Sequence, residues 1–579
     1  MISFDTFVKY LDTQLPLRPL NFSHIGDDGK QISQWGANLM IANKSEQCQQ
    51  LEKVLTEMIV ADISDTKRLE LMKQLKEVTF RVVNQLRSDY IHEPSQLSKL
   101  QHGMVNQVTS IYYLTALVFD GMMTRQMSQL QPAGKQTNKR SWWAILPIGR
   151  SDNQAYLQKI IYQLMYVYLN LMMEAAIIFT KPQQILWQQM NRLYMVAKSQ
   201  GVLDMAYRDK QHNSHADSIH DIYKQACLYS LLRPVSFRRQ DILGIHKVLA
   251  RWAKLVDISD DPVSENKIYI DLNSNQPPEY LTPYSRINPF TEDSTSLFVN
   301  LDKLHDYLTK AQSKEGKEHI SFEMRLARLA QYTLEQQQYL QRGEKRIPTR
   351  RHATIVTGLH RIHYYLSNKM PLERLILADE LPKGYYPKIS RVADKQDYEH
   401  TLDATIIDMS KTGYRFSFGE LDDIDVTDKN EQMTQEYERK SAIKQAVASS
   451  TTLKVLSIFA LMPDKTDAES NWELGVIRWI ENKERSVEAG ARLMGYAITA
   501  CGVRLESKDE RSQDFVVALL VAGNESLGTQ TSLILPQYHF KENDRVVLRI
   551  GDKQTNLRLA KNINNSDDMQ QYEIVRLAG

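Results

Sequence analysis

The chain has 579 residues, too many for one ordinary domain and enough for three or four. Hydrophobic residues at 42% and charged residues at 25% are those of a globular protein with a sizeable core. The 72 basic and 70 acidic residues leave a net charge of +2, which excludes a global field for DNA, RNA or a membrane surface and makes any anion site local.

The first residues, MISFDTFVKYLDTQ, carry acidic groups where a secretion signal has a basic flank and an apolar run. From about residue 44 to 255 the apolar spacing is helical. In QLEKVLTEMIV, Leu51, Val54, Leu55, Met58 and Ile59 recur at i, i+3, i+4, i+7 and i+8, one stripe of a helix. Long Leu/Met-rich segments follow at Leu69–Ser88, Leu97–Met123, Ala155–Phe179, Pro182–Ser199, Ile219–Leu232 and Arg239–Leu255. Each stripe needs a neighbour to cover it, which predicts antiparallel helix pairs in an all-α domain over 1–256. Ile160–Phe179 is long enough for a bilayer span, but Gln163, Asn170 and Glu174 would be costly in hydrocarbon. A helix buried in protein, and no membrane span, is expected there. Gln131–Trp143 and Lys210–Ser218 read as exposed polar loops.

Prolines at 262, 277, 278, 283 and 289 mark 257–300 as a connecting segment with little regular structure beyond a short strand at Lys267–Leu272. Helix returns over 301–341, as a segment leading to the next domain. After Arg346 the period changes. Ala353–Leu366, Ala404–Met409, Tyr414–Phe418, Leu453–Leu461 and Leu474–Ile480 are β-branched or aromatic runs, and more lie between Phe515 and Ala578. Short strands in succession without helices predict small barrels. The first is expected over 342–505, with inserts near 368–402 and 422–448, and a second small β domain over 506–579. The fold class is multidomain α plus β.

One constellation on the β side has a chemical purpose. KRIPTRRH holds Arg346 and Arg350 four apart, beside Arg351, immediately before the first strand; Arg342 and Arg346 offer the same spacing in an earlier register. DMSKTG then places Asp408, Ser410 and Gly413 in a turn between two strands. Guanidinium forks suit phosphate and the O6/N7 edge of guanine. A carboxylate accepts from the guanine N1 and N2 hydrogens, and a serine hydroxyl donates or accepts. Gly413 is expected to supply a positive φ at the turn. Together these groups suit a small guanine nucleotide with two phosphates.

In these motifs the sequence resembles the PilZ domain family, whose members bind cyclic di-GMP through R-x-x-x-R before the first strand and D/N-x-S-x-x-G on the barrel. Arg346, Arg350, Asp408, Ser410 and Gly413 match those positions, and WELGVIRWIENKERSVEAGARLMG resembles the PilZ ending, with Val476, Arg478 and Trp479 followed by Gly490 and Leu493. The resemblance covers roughly 342–500. The wider layout is similar to long bacterial proteins with a helical front, a PilZ-like barrel and an extra β domain at the end. The resemblance implies a PilZ-like β-barrel, cyclic di-GMP as ligand, and Arg346, Arg350, Arg351, Asp408, Ser410 and Gly413 as its contacts.

Other motifs point away from catalysis. Walker, nucleophile-elbow, dinucleotide-binding and kinase signatures are missing, as are those of enzymes that make or degrade cyclic di-GMP. His212, His215 and His220 lack the spacing of a zinc helix and read as a solvated loop, and the His220-Asp221 pair lacks the further ligands of a phosphohydrolase. His360 and His363 are expected in a strand. Three scattered cysteines, Cys48, Cys227 and Cys501, fit a reducing compartment and argue against zinc. The expected protein is therefore a cytoplasmic receptor, with no catalytic or metal residues and no cofactor, that relays cyclic di-GMP binding to an unidentified protein partner through its helical region. In that relay Arg346–Arg351 acts as a mobile tether. The alternative is a scaffold with a degenerate barrel, linked to surface motility or pilus machinery.

Overall fold

The structure, a computed structural model of the chain, describes all residues outside 14, 20–27, 94–96, 131–150, 208–215, 262–266, 283–284, 292–293, 314–321, 341–345, 377–399, 420–452, 464–470, 484–485, 507–513, 538–539, 567 and 578–579. Two units result, one mainly helical up to Arg342 and one β-rich from Gly343.

In the first unit the stripes become α1 (Phe4–Tyr10), α2 (Gly29–Leu39), α3 (Lys44–Val60), α4 (Asp65–Arg87), α5 (Lys99–Leu130), α6 (Ser151–Ile177), α7 (Gln184–Ser199), α8 (Ile219–Leu231) and α9 (Arg239–Ala253). Asn43, Ser64 and Ser218 start α3, α4 and α8 by accepting from the backbone N–H three residues on. The apolar run expected to be buried is the central helix: Ile160, Ile161, Met165 and Tyr168 of α6 are fully enclosed. Its Glu174 is neutralised by Arg87 of α4, whose Nε lies 3.1 Å from Oε1, and accepts from the Tyr90 hydroxyl at 3.0 Å. The loop expected at Gln131–Trp143 and most of that at Lys210–Ser218, including His212 and His215, fall outside the described residues.

The segment read as a connector with little regular structure is a four-stranded sheet. Strands β1 (Asp257–Ser259), β2 (Ile268–Asp271), β3 (Glu279–Tyr280) and β4 (Ser296–Asn300) are ordered β1-β4-β2-β3. Very short strands separated by turns leave too little periodicity to read, and the prolines at 277 and 278 lie between β2 and β3 rather than within them. Helices α10 (Asp302–Ser313) and α11 (Phe322–Leu340) complete this unit.

The second unit holds two closed antiparallel barrels. The first runs β10-β7-β6-β5-β8-β9, built from β5 (Ile347–Thr357), β6 (Leu402–Ser410), β7 (Gly413–Gly419), β8 (Ile458–Pro463), β9 (Glu473–Asn482) and β10 (Ser486–Gly495). The second runs β11-β12-β13-β16-β15-β14, from β11 (Ile498–Leu505), β12 (Val516–Val521), β13 (Ser532–Leu535), β14 (Arg545–Ile550), β15 (Lys553–Asn565) and β16 (Gln570–Arg576). Residues 498–505, expected in the first barrel, pair only with strands of the second.

Two other expectations change. Ala353–Leu366 is not one strand: Gly358, at φ +86°, ends β5, and α12 (Leu359–Leu366) follows. Buried Leu359, Ile362 and His363 give that helix its inner face, so His360 and His363 are helical. Strand does not begin at Leu453, because Leu456 is left-handed at φ +66° and β8 starts at Ile458. Of the two expected inserts, the first contributes α13 (Leu372–Ile376) before the chain leaves the described residues, and 422–448 lies wholly outside them.

Candidate functional site

The two motifs meet on the outer face of the first barrel. β6 and β7 form a hairpin through Lys411 and Thr412, pairing Ser410 with Gly413 and Asp408 with Arg415. The Ser410 hydroxyl lies 3.5 Å from the Gly413 carbonyl it donates to. β5 pairs with the other side of β6, Pro348 opposite Asp408 and Arg351 opposite Ile406. Between those pairs two residues of β5, Thr349 and Arg350, stand against one of β6, Ile407, a bulge beside a proline that has no N–H to give the ladder. Arg346, Arg350 and Arg351 are all exposed, along the mouth of the Asp408 strand.

Ion pairs tie the row together. Arg346 Nε donates to Asp408 Oδ1, and Asp408 Oδ2 lies 3.6 Å from Arg415 Nη1. Arg415 in turn donates from Nη2 and Nε to one oxygen of Glu488, at 2.6 and 2.9 Å, and Lys483 holds the other oxygen. Burial resists charge on Arg415, but Glu488 and Asp408 outweigh it and raise its pKa. Burial likewise opposes the Glu488 carboxylate, and Lys483 and Arg415 more than offset it, so its pKa is lowered. The register continues the row from Arg415 to Gly490 and from Gly490 to Trp479. A Cβ on Gly490 would fall 2.0 Å from the Trp479 indole nitrogen, so the missing side chain is what lets that ring lie across the strand.

Two expectations about this site are corrected. Gly413 does not have positive φ. It is needed because a Cβ there would stand 2.2 Å from the Ala491 carbonyl of β10, a close approach of backbone rather than a turn requirement. Nor is Arg346–Arg351 a loose tether ahead of the strand. Ile347–Arg351 is already β5, laddered to β6, and Arg346 is pinned to Asp408. Arg342 and the earlier register lie outside the described residues.

Sequence reasoning missed Arg415, Glu488 and Lys483. Hairpin symmetry about Lys411–Thr412 was the available signal for Arg415, because it puts that residue opposite Asp408. Nothing local signals Glu488, which reaches Arg415 only because β10 pairs with β7. Among the described residues no group of His, Cys, Asp or Glu side chains could hold a metal, and the His220 imidazole is paired with Asp204 at 3.0 Å.

Comparison with known families fits this layout. Residues 30–263 match the N-terminal domain of the cyclic-di-GMP receptor FimW, 268–458 its middle PilZ domain, and 501–577 its C-terminal β-barrel domain. The chain belongs to the FimW family. The cyclic-di-GMP receptor FimW of Pseudomonas aeruginosa is 20% identical, over 96% of this chain and 91% of its own length. The FimW middle-domain match takes in Arg346, Arg350, Arg351, Asp408, Ser410 and Gly413 and begins at β2, well before the barrel. It stops before β9 and β10, the strands that close the PilZ barrel and carry Trp479 and Glu488, and before Lys483, which follows β9.

Proposed function

We propose that this protein is a cytoplasmic cyclic-di-GMP receptor, not an enzyme, whose ligand sits on the outer row of the PilZ barrel. The observation that carries the reading is the meeting of both motifs, Arg346 against Asp408, on adjacent paired strands. Arg346, Arg350 and Arg351 supply forks for phosphate and the O6/N7 edges, Asp408 accepts from guanine N1 and N2, and Ser410 adds a hydroxyl. Gly413 keeps the hairpin close to β10. Arg415 is a positioning residue in this reading, since Glu488 holds it against the Asp408 carboxylate. For the guanine to take Asp408, Arg346 must leave it and turn to the nucleotide, so binding exchanges one ion pair for several contacts. That exchange, rather than the ordering of a free tether, is the conformational step. The name of the relative supports the same ligand. The scaffold reading is not favoured, because no motif residue is missing from the barrel. We assign ligand recognition to the PilZ barrel and protein contacts to the helical unit.

Titration calorimetry with cyclic di-GMP, and GTP as control, tests the assignment. Saturable binding to the parent protein that disappears in the Arg346→Ala/Arg350→Ala double variant is expected. Unchanged affinity in the double variant would sink the site, and no binding by the folded parent protein would sink the function.

A further inference from the structure

The helical unit contains a cleft of about 890 Å³ bounded by α4, α5, α6 and α9, separate from the nucleotide row. Its first wall is a single face of α4, Leu69, Met72, Lys73, Lys76, Phe80 and Arg87, following the three-and-four spacing of a helix. From Leu69 to Arg87 that wall runs roughly 27 Å at 1.5 Å per residue. The facing wall is α6, from Lys159 through Gln163, Tyr166 and Asn170 to Met173. Tyr112, Thr115 and Phe119 of α5 and Leu243 and His246 of α9 supply the rest. The polar residues that interrupt the apolar run of α6 at 163 and 170 are therefore turned to this cleft.

We infer that this cleft docks an acidic amphipathic helix of a partner protein. Its length along α4 is that of a helix about five turns long, against which one face of a partner helix can lie. Its interior offers apolar and aromatic surface, with Phe80 49% exposed. Its charge is one-sided: among the described residues that line it, Lys73, Lys76, Lys159 and Lys247 stand against one acid, Glu70, with Lys76 lying over the Tyr166 ring and Arg87 already neutralised by Glu174. An apolar stripe flanked by carboxylates meets both features, the helix-in-groove mode with complementary charge. His246 adds a polar anchor. Burial, and then Arg87, push its pKa down to about 4, so it is neutral, and its buried Nδ1 has no hydrogen-bond partner among the described residues.

The inference does not depend on nucleotide binding and is tested without nucleotide, on the full chain. Two fluorescein-labelled helical peptides of eighteen residues are compared by anisotropy, with one shared leucine stripe flanked by glutamates in one and by lysines in the other. Saturable binding of the acidic peptide, weakened roughly tenfold by Lys73→Glu/Lys159→Glu, is expected, with no binding of the basic peptide. Both lysines are exposed, so the variant should keep its circular dichroism spectrum and unfolding midpoint. Phe80→Ser, also at an exposed position, should weaken the acidic peptide too. Equal binding of both peptides, no binding of either, or an acidic-peptide affinity untouched by the lysine reversals would overturn the inference. So would tighter lysine-dependent binding of a single-stranded oligonucleotide, or a concentration-dependent dimer in sedimentation that the reversals abolish.

Discussion

Replacing Asp408 by alanine separates two tasks of one carboxylate. In the structure it pairs with Arg346, whose side chain is 44% exposed, and lies 3.6 Å from Arg415. An exposed ion pair of this kind contributes under about 1 kcal/mol, and Arg415 keeps Glu488 as its nearer partner. Folding stability should therefore fall by less than about 1 kcal/mol. Toward the nucleotide, the same carboxylate would accept two charge-assisted bonds from guanine, each about 1.5–3 kcal/mol. Taking the lower figure for both and subtracting the Arg346 pair that binding must break leaves about 2 kcal/mol, roughly a thirtyfold loss of affinity. Calorimetric titration with cyclic di-GMP at fixed salt, beside urea unfolding, measures both quantities. An affinity within about threefold of the parent protein would refute the assignment. A loss of several kcal/mol in stability would instead place Asp408 in the fold rather than in the site.

Other perturbations read the fold beneath the site. Gly413→Ala puts a Cβ 2.2 Å from the Ala491 carbonyl, so β7 and β10 must part, at about 1–3 kcal/mol in urea unfolding; unchanged stability would show that the close approach is not what requires glycine. Glu174→Ala leaves Arg87, its side chain 9% exposed, as a buried uncompensated charge. A loss of about 3–5 kcal/mol by chemical denaturation is expected, and a loss below about 1 kcal/mol would mean water reaches the pair. Burial pushes Asp120 up to about 7, with Asp12 adding to it. A carboxyl raised in the folded state holds a proton that the unfolded chain has already released. Its stabilising effect is therefore full below the ordinary value of 3.8 and is lost as pH rises through about 7. Asp120→Asn should remove this slope, at most on the order of 4 kcal/mol, from unfolding free energies measured between about pH 4 and 8; an unaltered slope would assign it to other groups.

The helical half was legible because its signal is local. Apolar residues three and four apart place α3 to α9 within a few residues at either end, apart from the C-terminal extension of α5. The two motifs were legible for a similar reason, each being a short local run, and the structure brings Arg346 and Asp408 together. What was not legible depends on partners distant in sequence. Gly413 was read as a conformational requirement of its own turn, whereas the carbonyl that excludes a side chain belongs to Ala491. Leu359, Ile362 and His363 look like a continuation of β5 until Gly358 reverses the backbone and gives them one helical face. Arg415 and Glu488 became neighbours only when β10 was laid beside β7.

The same long-range packing limits how a ligand on the row could act. One core cluster joins the two barrels: Val356, Leu359, Ile362, Leu474 and Val476 from the first pack with Val517, Leu519 and Ile534 from the second. His363 adds a hydrogen bond from Nε2 to the Cys501 carbonyl at 3.2 Å, and burial pushes that imidazole down to about 4, keeping it the neutral donor. Moving one barrel against the other would uncover several of these side chains, at about 1.5–3 kcal/mol each. That exceeds the coupling free energy of about 1–3 kcal/mol through which a ligand at one site ordinarily shifts another. The two barrels therefore respond as one body. What nucleotide can move at lower cost is the exposed end of β5, where Arg346 has its Asp408 pair to exchange and the bulge at Thr349–Arg350 has already loosened the ladder.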